Sequence, residues 1–387
     1  MLPLENPKPD FEIFKKVLKG EEKPEKVHFV EFFVDYNMIN TLSSKFNMNL
    51  KYIPDLMAFF SGESEAPAIG DQIYFDMIEP MIEFYYRFGY DYYPNVFFSP
   101  GTSFRVLLRF IGKKREAEDT APLATPGVKR VWAEETKGFL TTWEDFEKVK
   151  SMTFKLDPKP IFDFISEKLP EGMKVVATGG WLLEMTMGES MGAVNLFRKL
   201  YEDPDLVKAV IDLIGEMIYN DYKEIVTYDC VGAMFHADDM GYSHGLMMKP
   251  EFYRELIFPW LKKYAALAHQ HGKMYWQHSC GRTEAIMEDL IEDVKIDAYH
   301  SFQDVVIPVW EYQEKFGDRV AVLGGIDMDK YARYDVESLR KHIRGILDKC
   351  MPRGRFALGA GNTVSNFIPP ENYLAVLEEG LKWRPKK

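Results

Sequence analysis

His278 and Cys280 stand two residues apart in the run QHSCGR. In an extended strand that spacing puts both side chains on one face. Imidazole and thiolate both suit Zn²⁺. A catalytic zinc needs a third protein ligand and an open position. His236, Asp238 and His300 are the candidates for that third ligand. The same residues allow two other readings. Cys280 could be a nucleophile with His278 or His300 as base, or a buried cysteine beside a hydrogen-bonded histidine.

Asp238 and Asp239 form a second group, in FHADDMG. Neighbours in an extended segment point to opposite faces, so one carboxylate of the pair turns inward. An inward carboxylate can orient a substrate, move a proton or hold a cation. The alternative is a helix cap. The expected catalytic residues are Asp238, Asp239, His278 and His300. Glu31, His236, Asp327 and Asn362 are the expected substrate contacts. His28, Asp35 and Glu184 also fall where a site could reach them, although carboxylates are common in helix first turns.

These residues need elements that bring them together. Eight apolar runs read as strands: Val27–Phe33, Asp91–Phe97, Lys174–Thr178, Val231–His236, Lys273–His278, Asp297–Ser301, Arg319–Leu323 and Arg355–Leu358. Helical patterns lie between them. Asp203-Pro204 supplies a cap and a first-turn proline, followed by Leu206, Val207, Val210, Ile211, Ile214 and Ile218 at helical spacing. Asp335 caps another, Pro369-Pro370 precedes a last one, and Pro250 to His271 reads helical with a break near Pro259. Alternating strand and helix predict a parallel sheet, and eight units over this length predict an α/β fold of the (β/α)₈ TIM-barrel type. The expectation is one domain over 1–387 with an N-terminal helical elaboration. Insertions are expected at about 37–72 and 99–153. No GxGxxG follows any strand, which removes support for a dinucleotide fold. The aromatic run from Glu83 to Phe98 is either barrel core or a wall for a flat substrate.

Chemistry in such a barrel comes from the strand carboxyl ends. Polar and small residues gather there: His236-Ala237-Asp238-Asp239, His278-Ser279-Cys280, His300-Ser301, Gly324-Gly325-Ile326-Asp327 and Gly359-Ala360-Gly361-Asn362. The two glycine groups allow close backbone approach to a ligand.

Composition bounds the partners. The 387 residues carry 48 basic and 60 acidic side chains, a net charge of −12. That balance argues against nucleic acid. No apolar stretch approaches the roughly 18 residues of a membrane span. Cys230, Cys280 and Cys350 are too few and scattered for a disulfide framework. The opening MLPLENPKPDFEIFKK lacks a basic segment leading into an apolar run, so no signal peptide is expected and the expected compartment is the cytoplasm.

The motifs also carry a resemblance. HADDMGYSHGLMMKPEFYRELIFPWLKK, GKMYWQHSCGRTEAIMEDLIE, IDAYHSFQD, VAVLGGIDMD and FALGAGNTVSNFIPPENYLAVLEEG, in that order, resemble the uroporphyrinogen decarboxylase superfamily. VHFVEFFVDYNMI and TKGFLTTWEDFEK extend the likeness more loosely into the first half. Within the superfamily the chain is most similar to the corrinoid-dependent methyltransferase-like branch. Two departures separate it from true uroporphyrinogen decarboxylases: His28 to Asn40 holds no arginine, and Ala360 stands where they carry a histidine between glycines. The zinc-dependent methyltransferases of the superfamily carry His-x-Cys and a later cysteine. His278 and Cys280 match the first two, and the later cysteine, which would fall near Ala360, is missing.

What remains resembles the demethylating (O-demethylase) branch. The resemblance therefore implies a methyltransferase that moves a methyl group between a small, aromatic methyl ether or other methyl donor and a corrinoid protein. It implies Zn²⁺ at His278 and Cys280, and cobalamin carried by the partner, since D-x-H-x-x-G is absent here. A homodimer is a family tendency. The alternatives are a decarboxylase or lyase acting on a porphyrin-like or smaller acid, and a non-catalytic binder of tetrapyrrole or metal.

Overall fold

The computed structural model describes residues 2–53, 72–111, 114–124, 129–133, 138–152 and 157–385. Parts of the two expected insertions lie outside the described residues: 54–71 in the first, and 112–113, 125–128, 134–137 and 153 in the second. Seven strands form one parallel sheet in chain order: Tyr92–Asn95, Lys174–Gly180, Val231–Ala237, Met274–His278, Ala298–His300, Ala321–Leu323 and Phe356–Ala357. Helices alternate with them, which gives the TIM-barrel-type α/β fold.

The first expected strand is the exception. Val27–Phe33 forms no strand. It meets the last strand through an isolated bridge, Phe29 with Leu358. Val30 N–H donates to Leu358 C=O at 2.9 Å, and Leu358 N–H donates to His28 C=O at 2.9 Å. Its other edge has no ladder. Among the described residues, no backbone hydrogen bond joins it to Tyr92–Asn95. Side chains stitch that seam instead. The Tyr92 hydroxyl accepts from Glu31 N–H at 2.9 Å and donates to Glu31 C=O at 2.7 Å. The Tyr85 hydroxyl accepts from Val34 N–H at 3.0 Å. Two phenols thus satisfy backbone groups that a neighbouring strand would otherwise pair.

The interior of the ring follows from the two-residue period of the strands. Tyr92, Val176, Ala233, Phe235, Ala237, Met274, Trp276, Ala298, Ala321, Leu323 and Ala357 pack there with Val30 and Phe32. Small residues on neighbouring strands leave room for Phe235 and Trp276, whose rings meet edge to face at 5.4 Å. Helix Phe11–Lys19 closes the amino end of the ring. Asp10 caps it, and Phe11 and Phe14 both pack against Trp276. Asp91 holds this end by accepting from Asp10 N–H, Lys26 and His28.

The helix signals meet their elements. Asp203 accepts from Leu206 N–H at the start of Pro204–Ile225, and Asp335 accepts from Ser338 N–H at the start of Val336–Cys350. Pro370–Lys382 forms the last helix. The break near Pro259 is a π-helical turn, Tyr253–Ile257, just ahead of Phe258–Gln270. The aromatic run packs into the core: Phe84, Tyr85, Phe88, Tyr90, Tyr92, Tyr93, Phe97 and Phe98 are buried. Among the described residues, no helix is long and apolar enough to cross a membrane.

The seam makes a testable pair. Tyr92→Phe leaves two buried backbone groups unpaired, which costs about 2–4 kcal/mol. Tyr93 carries a buried hydroxyl with no partner among the described residues, so Tyr93→Phe is expected to be nearly neutral. Guanidinium unfolding midpoints of the two variants check this, and equal losses would contradict the stitched seam.

Candidate metal centre

Strand parity brings two histidines to the mouth. Trp276 faces the interior, so His278, two residues on, faces it too. His278 is in register with His300 on the next strand. Their Nδ1 atoms lie 2.7 Å apart, and His300 Nε2 lies 3.0 Å from the Ala360 carbonyl. A carbonyl only accepts, so the partners assign the proton of His300 to Nε2. His300 Nδ1 is then an acceptor, and His278 must carry its proton on Nδ1. That leaves His278 Nε2 facing the cluster. Both nitrogens of His300 are engaged, so it is not a ligand. Phe32 covers the pair, with its ring 4.9 Å from that of His278.

Three donor atoms converge beyond His278. Cys280 Sγ lies 3.5 Å from His278 Nε2, and Asp239 Oδ1 lies 3.5 Å from the same nitrogen. All three donor atoms lie within 4.8 Å of one another. A tetrahedral zinc with bonds of about 2.0–2.3 Å sets neighbouring donors about 3.3–3.6 Å apart. The nitrogen, sulfur and oxygen set suits zinc in its chemistry, and the two separations from His278 Nε2 match that spacing. Asp239 Oδ1 also accepts from Cys280 N–H at 2.8 Å, and Asn362 Nδ2 points at Cys280 Sγ at 3.1 Å. Ser301 donates to the Gly361 carbonyl and lies 3.8 Å from the sulfur.

The charges of the cluster act on one another. Burial works to lower the His278 pKa, but the negative charges of Cys280 and Asp239 outweigh it and push it up to about 10. Burial opposes ionisation of Asp239, yet His278 and the Cys280 N–H hold its carboxyl below the usual range. Burial and then His278 hold His300 low, in keeping with a neutral ring.

Asp238 and His236 go the other way. Phe235 and Ala237 face the axis, so His236 turns towards the helices, against Tyr264 and Tyr275. Its Nε2 lies 3.1 Å from Asp238 Oδ2, and both side chains are 0% exposed. Asp238 Oδ1 accepts from Leu183 N–H at 2.7 Å and Glu184 N–H at 3.2 Å. Asp238 is therefore a cap that fixes the turn after strand Lys174–Gly180. Asp239, at 29% side-chain exposure, is the member of the pair that reaches the centre. Gly180 permits this packing: at φ +109° it has no Cβ, which would meet the His236 ring at 2.1 Å.

That turn carries Glu184. Burial, and then Asp239 and Asp238, push its carboxyl up to about 8. Arg105, on helix Thr102–Ile111, lies over the Trp181 ring at 3.8 Å and acts electrostatically on Glu184. Asp221 anchors the start of that helix by accepting from Gly101 and Ser103 N–H.

The other expected contacts have different places. Asp327 caps helix Met328–Arg333 and accepts from Asp304 N–H. Glu31 is buried and accepts from Ala360 N–H. Asp35 caps Tyr36–Lys45, and His28 pairs with Asp91 at the opposite end of the barrel. The structure therefore gathers Asp239, His278, Cys280, His300 and Asn362, and leaves Asp238, His236, Glu31 and Asp327 in supporting positions. Sequence reasoning did not single out Arg105, and named Asp239 without placing it beside His278 and Cys280. A parity count from Trp276 and Phe235 is the signal that finds it.

A family profile described as Uroporphyrinogen decarboxylase (URO-D) matches residues 140–382, more than half of the chain. No curated protein matches the sequence. Among solved structures, a methyltransferase from Methanosarcina mazei superposes with a TM-score of 0.64 at 12% identity, over 94% of this chain and 96% of that one. At that identity the likeness is one of fold.

The geometry separates the two aspartates. Asp239→Ala is expected to lose zinc while keeping the fold. Asp238→Asn is expected to keep zinc at wild-type stoichiometry and to lose roughly 3 kcal/mol of stability, as a broken buried pair does. Elemental analysis of dialysed protein, with unfolding curves, checks both. Zinc loss in Asp238→Asn alone would reverse the assignment.

Proposed function

The chain belongs to the uroporphyrinogen decarboxylase family, and on that premise we propose that it is a methyltransferase that demethylates a small aromatic methyl ether, with a corrinoid protein as partner. The observation that carries this reading is the cluster of Asp239, His278 and Cys280 at the strand carboxyl ends, with Glu184 beside it. The fold likeness to a methyltransferase supports it.

An ether oxygen is a poor leaving group unless protonated or coordinated. Asp239, His278 and Cys280 would hold a zinc ion, which when bound supplies Lewis-acid polarisation of that oxygen. A reduced corrinoid held by the partner would supply the electron pair for the bond to the methyl carbon. The chain's own residues do the rest. The carbon–oxygen bond breaks with its electron pair on oxygen, and Glu184 gives that oxygen a proton to complete the phenol. Burial, and then Asp239 and Asp238, favour the protonated form of the Glu184 carboxyl. Asp238 fixes the Glu184 backbone, and the Phe32 and Trp181 rings meet edge to face at 6.4 Å.

A decarboxylase acting on a porphyrin-like acid is disfavoured by the charge at this mouth. Such a polycarboxylate needs several cations. Here Asp239 and Cys280 gather beside Glu184, and the positive charges acting on Glu184 come from His278 and then Arg105.

Incubation of the zinc-loaded protein with cobalt(I) cobalamin and aryl methyl ethers tests the reading. The expected products are methylcobalamin and the phenol in equal amounts. Glu184→Gln is expected to lower turnover by about 10²–10⁴-fold with zinc content unchanged. Release of carbon dioxide from a porphyrinogen, with no methyl transfer, would overturn the proposal.

A further inference from the structure

We propose that Glu31 is a positioning residue for the metal ligand His278, acting through the Ala360 peptide and His300. The inference rests on the reading of Asp239, His278 and Cys280 as metal ligands. Glu31 lies outside the stretch that matches the family profile.

A backbone ladder opens beside Ala360. The segment from His28 and the last strand pair in parallel register: Leu358 N–H donates to His28 C=O, and Val30 N–H donates to Leu358 C=O. Continued regularly, Ala360 N–H would next donate to Val30 C=O, and Ala360 C=O would accept from Phe32 N–H. Neither bond forms. The pairing resumes only at Val34 and Val364. In the gap, both backbone groups of Ala360 go to side chains. Its N–H donates to the Glu31 carboxyl, 3.2 Å from one oxygen and 3.3 Å from the other. Its carbonyl accepts from His300 Nε2 at 3.0 Å.

One residue therefore joins a buried acid to a buried imidazole. The N–H and C=O of an amino acid residue lie on two successive peptides, but Ala360 is held between bonds on both sides. Gly361 N–H donates to Ile326 C=O at 2.7 Å, and Ile326 N–H donates to Gly359 C=O at 3.0 Å. Each of those two peptides is thus tied twice, the first to Ile326 and Glu31 and the second to Ile326 and His300. Gly324 completes the fit. At φ +93° it lacks a Cβ that would lie 2.3 Å from the Ala360 carbonyl oxygen and 3.0 Å from the His300 ring.

The consequence runs along the proton chain. A fixed Ala360 carbonyl holds the His300 proton on Nε2. His300 Nδ1 then accepts from His278 Nδ1 at 2.7 Å, and His278 presents Nε2 to the cluster. Partners beyond the ligands set ring orientation and ligand basicity in metal sites. Glu31 suits the place because it brings an acceptor without an accompanying cation. Its surroundings are the phenols of Tyr85, Tyr90, Tyr92, Tyr331 and Tyr373. Glutamine offers the same acceptor oxygen. Leucine fills the volume and offers none.

Zinc affinity, read by competition with a chromophoric chelator, tests the proposal. Glu31→Leu is expected to bind zinc about tenfold more weakly. Glu31→Gln is expected to restore affinity close to wild type. Should Glu31→Leu fail to fold, Glu31→Asp makes the same test, because its shorter side chain cannot reach Ala360 N–H. Nitrogen-15 NMR of labelled histidines in the zinc-loaded wild type is expected to show His300 protonated on Nε2 and His278 on Nδ1. Wild-type affinity in Glu31→Leu or Glu31→Asp, with stability alone reduced, would overturn the role of Glu31. The opposite tautomers would overturn it as well. A wild-type protein that binds no zinc would fail earlier, at the ligand reading itself.

Discussion

Ala360 C=O accepts a hydrogen bond from His300, and that bond decides where the protons sit on two buried rings. Each neutral imidazole has one donor and one acceptor. Once the carbonyl takes the donor of His300, the donor of His278 has one place to go. The nitrogen left facing the mouth is the one that meets Cys280 and Asp239. The rest of the structure serves this arrangement. In-register strands set the two rings side by side, Phe32 keeps solvent from them, and the opened ladder frees the carbonyl.

The fold sets its limits elsewhere. A parallel strand gives alternate residues to the interior and to the helix layer. In Val231–Ala237 the interior set is Ala233, Phe235 and Ala237, and the outer set ends in His236. Past the strand end the same alternation separates Asp238 from Asp239. One becomes a buried cap paired with a histidine, and the other joins the cluster with an edge in solvent. Two adjacent, chemically identical side chains thus do different work because of one residue of parity. The cap then matters to the site at second hand, since it fixes the turn that carries Glu184.

Much of this was legible in the sequence where the signal was local. Seven of the eight expected strands formed, with ends shifted by a few residues, because each is a short apolar run closed by small or polar residues. The caps at Asp203 and Asp335 followed from side-chain chemistry within one turn. His278 and Cys280 were legible because spacing two holds even just past a strand end. What was not legible depends on contacts between distant segments. Val27–Phe33 has strand composition, but its neighbour presents the Tyr92 hydroxyl rather than a ladder. FHADD allows either inward set, and only the packing of Phe235 against Trp276 chooses between them. Glu31 looks like a strand-end carboxylate that could meet substrate. Its bond to Ala360 joins residues 329 positions apart, and nothing in its neighbours announces it. Arg105 meets Trp181 from a helix that carries no chemical motif.

The central claim is that Asp239, His278 and Cys280 together hold one zinc ion. X-ray absorption at the zinc edge reads that donor set directly. The account predicts one sulfur at about 2.3 Å and nitrogen and oxygen donors at about 2.0–2.2 Å, with an imidazole signature in the outer scattering. A shell of several sulfurs, or one with nitrogen and oxygen alone, would contradict it.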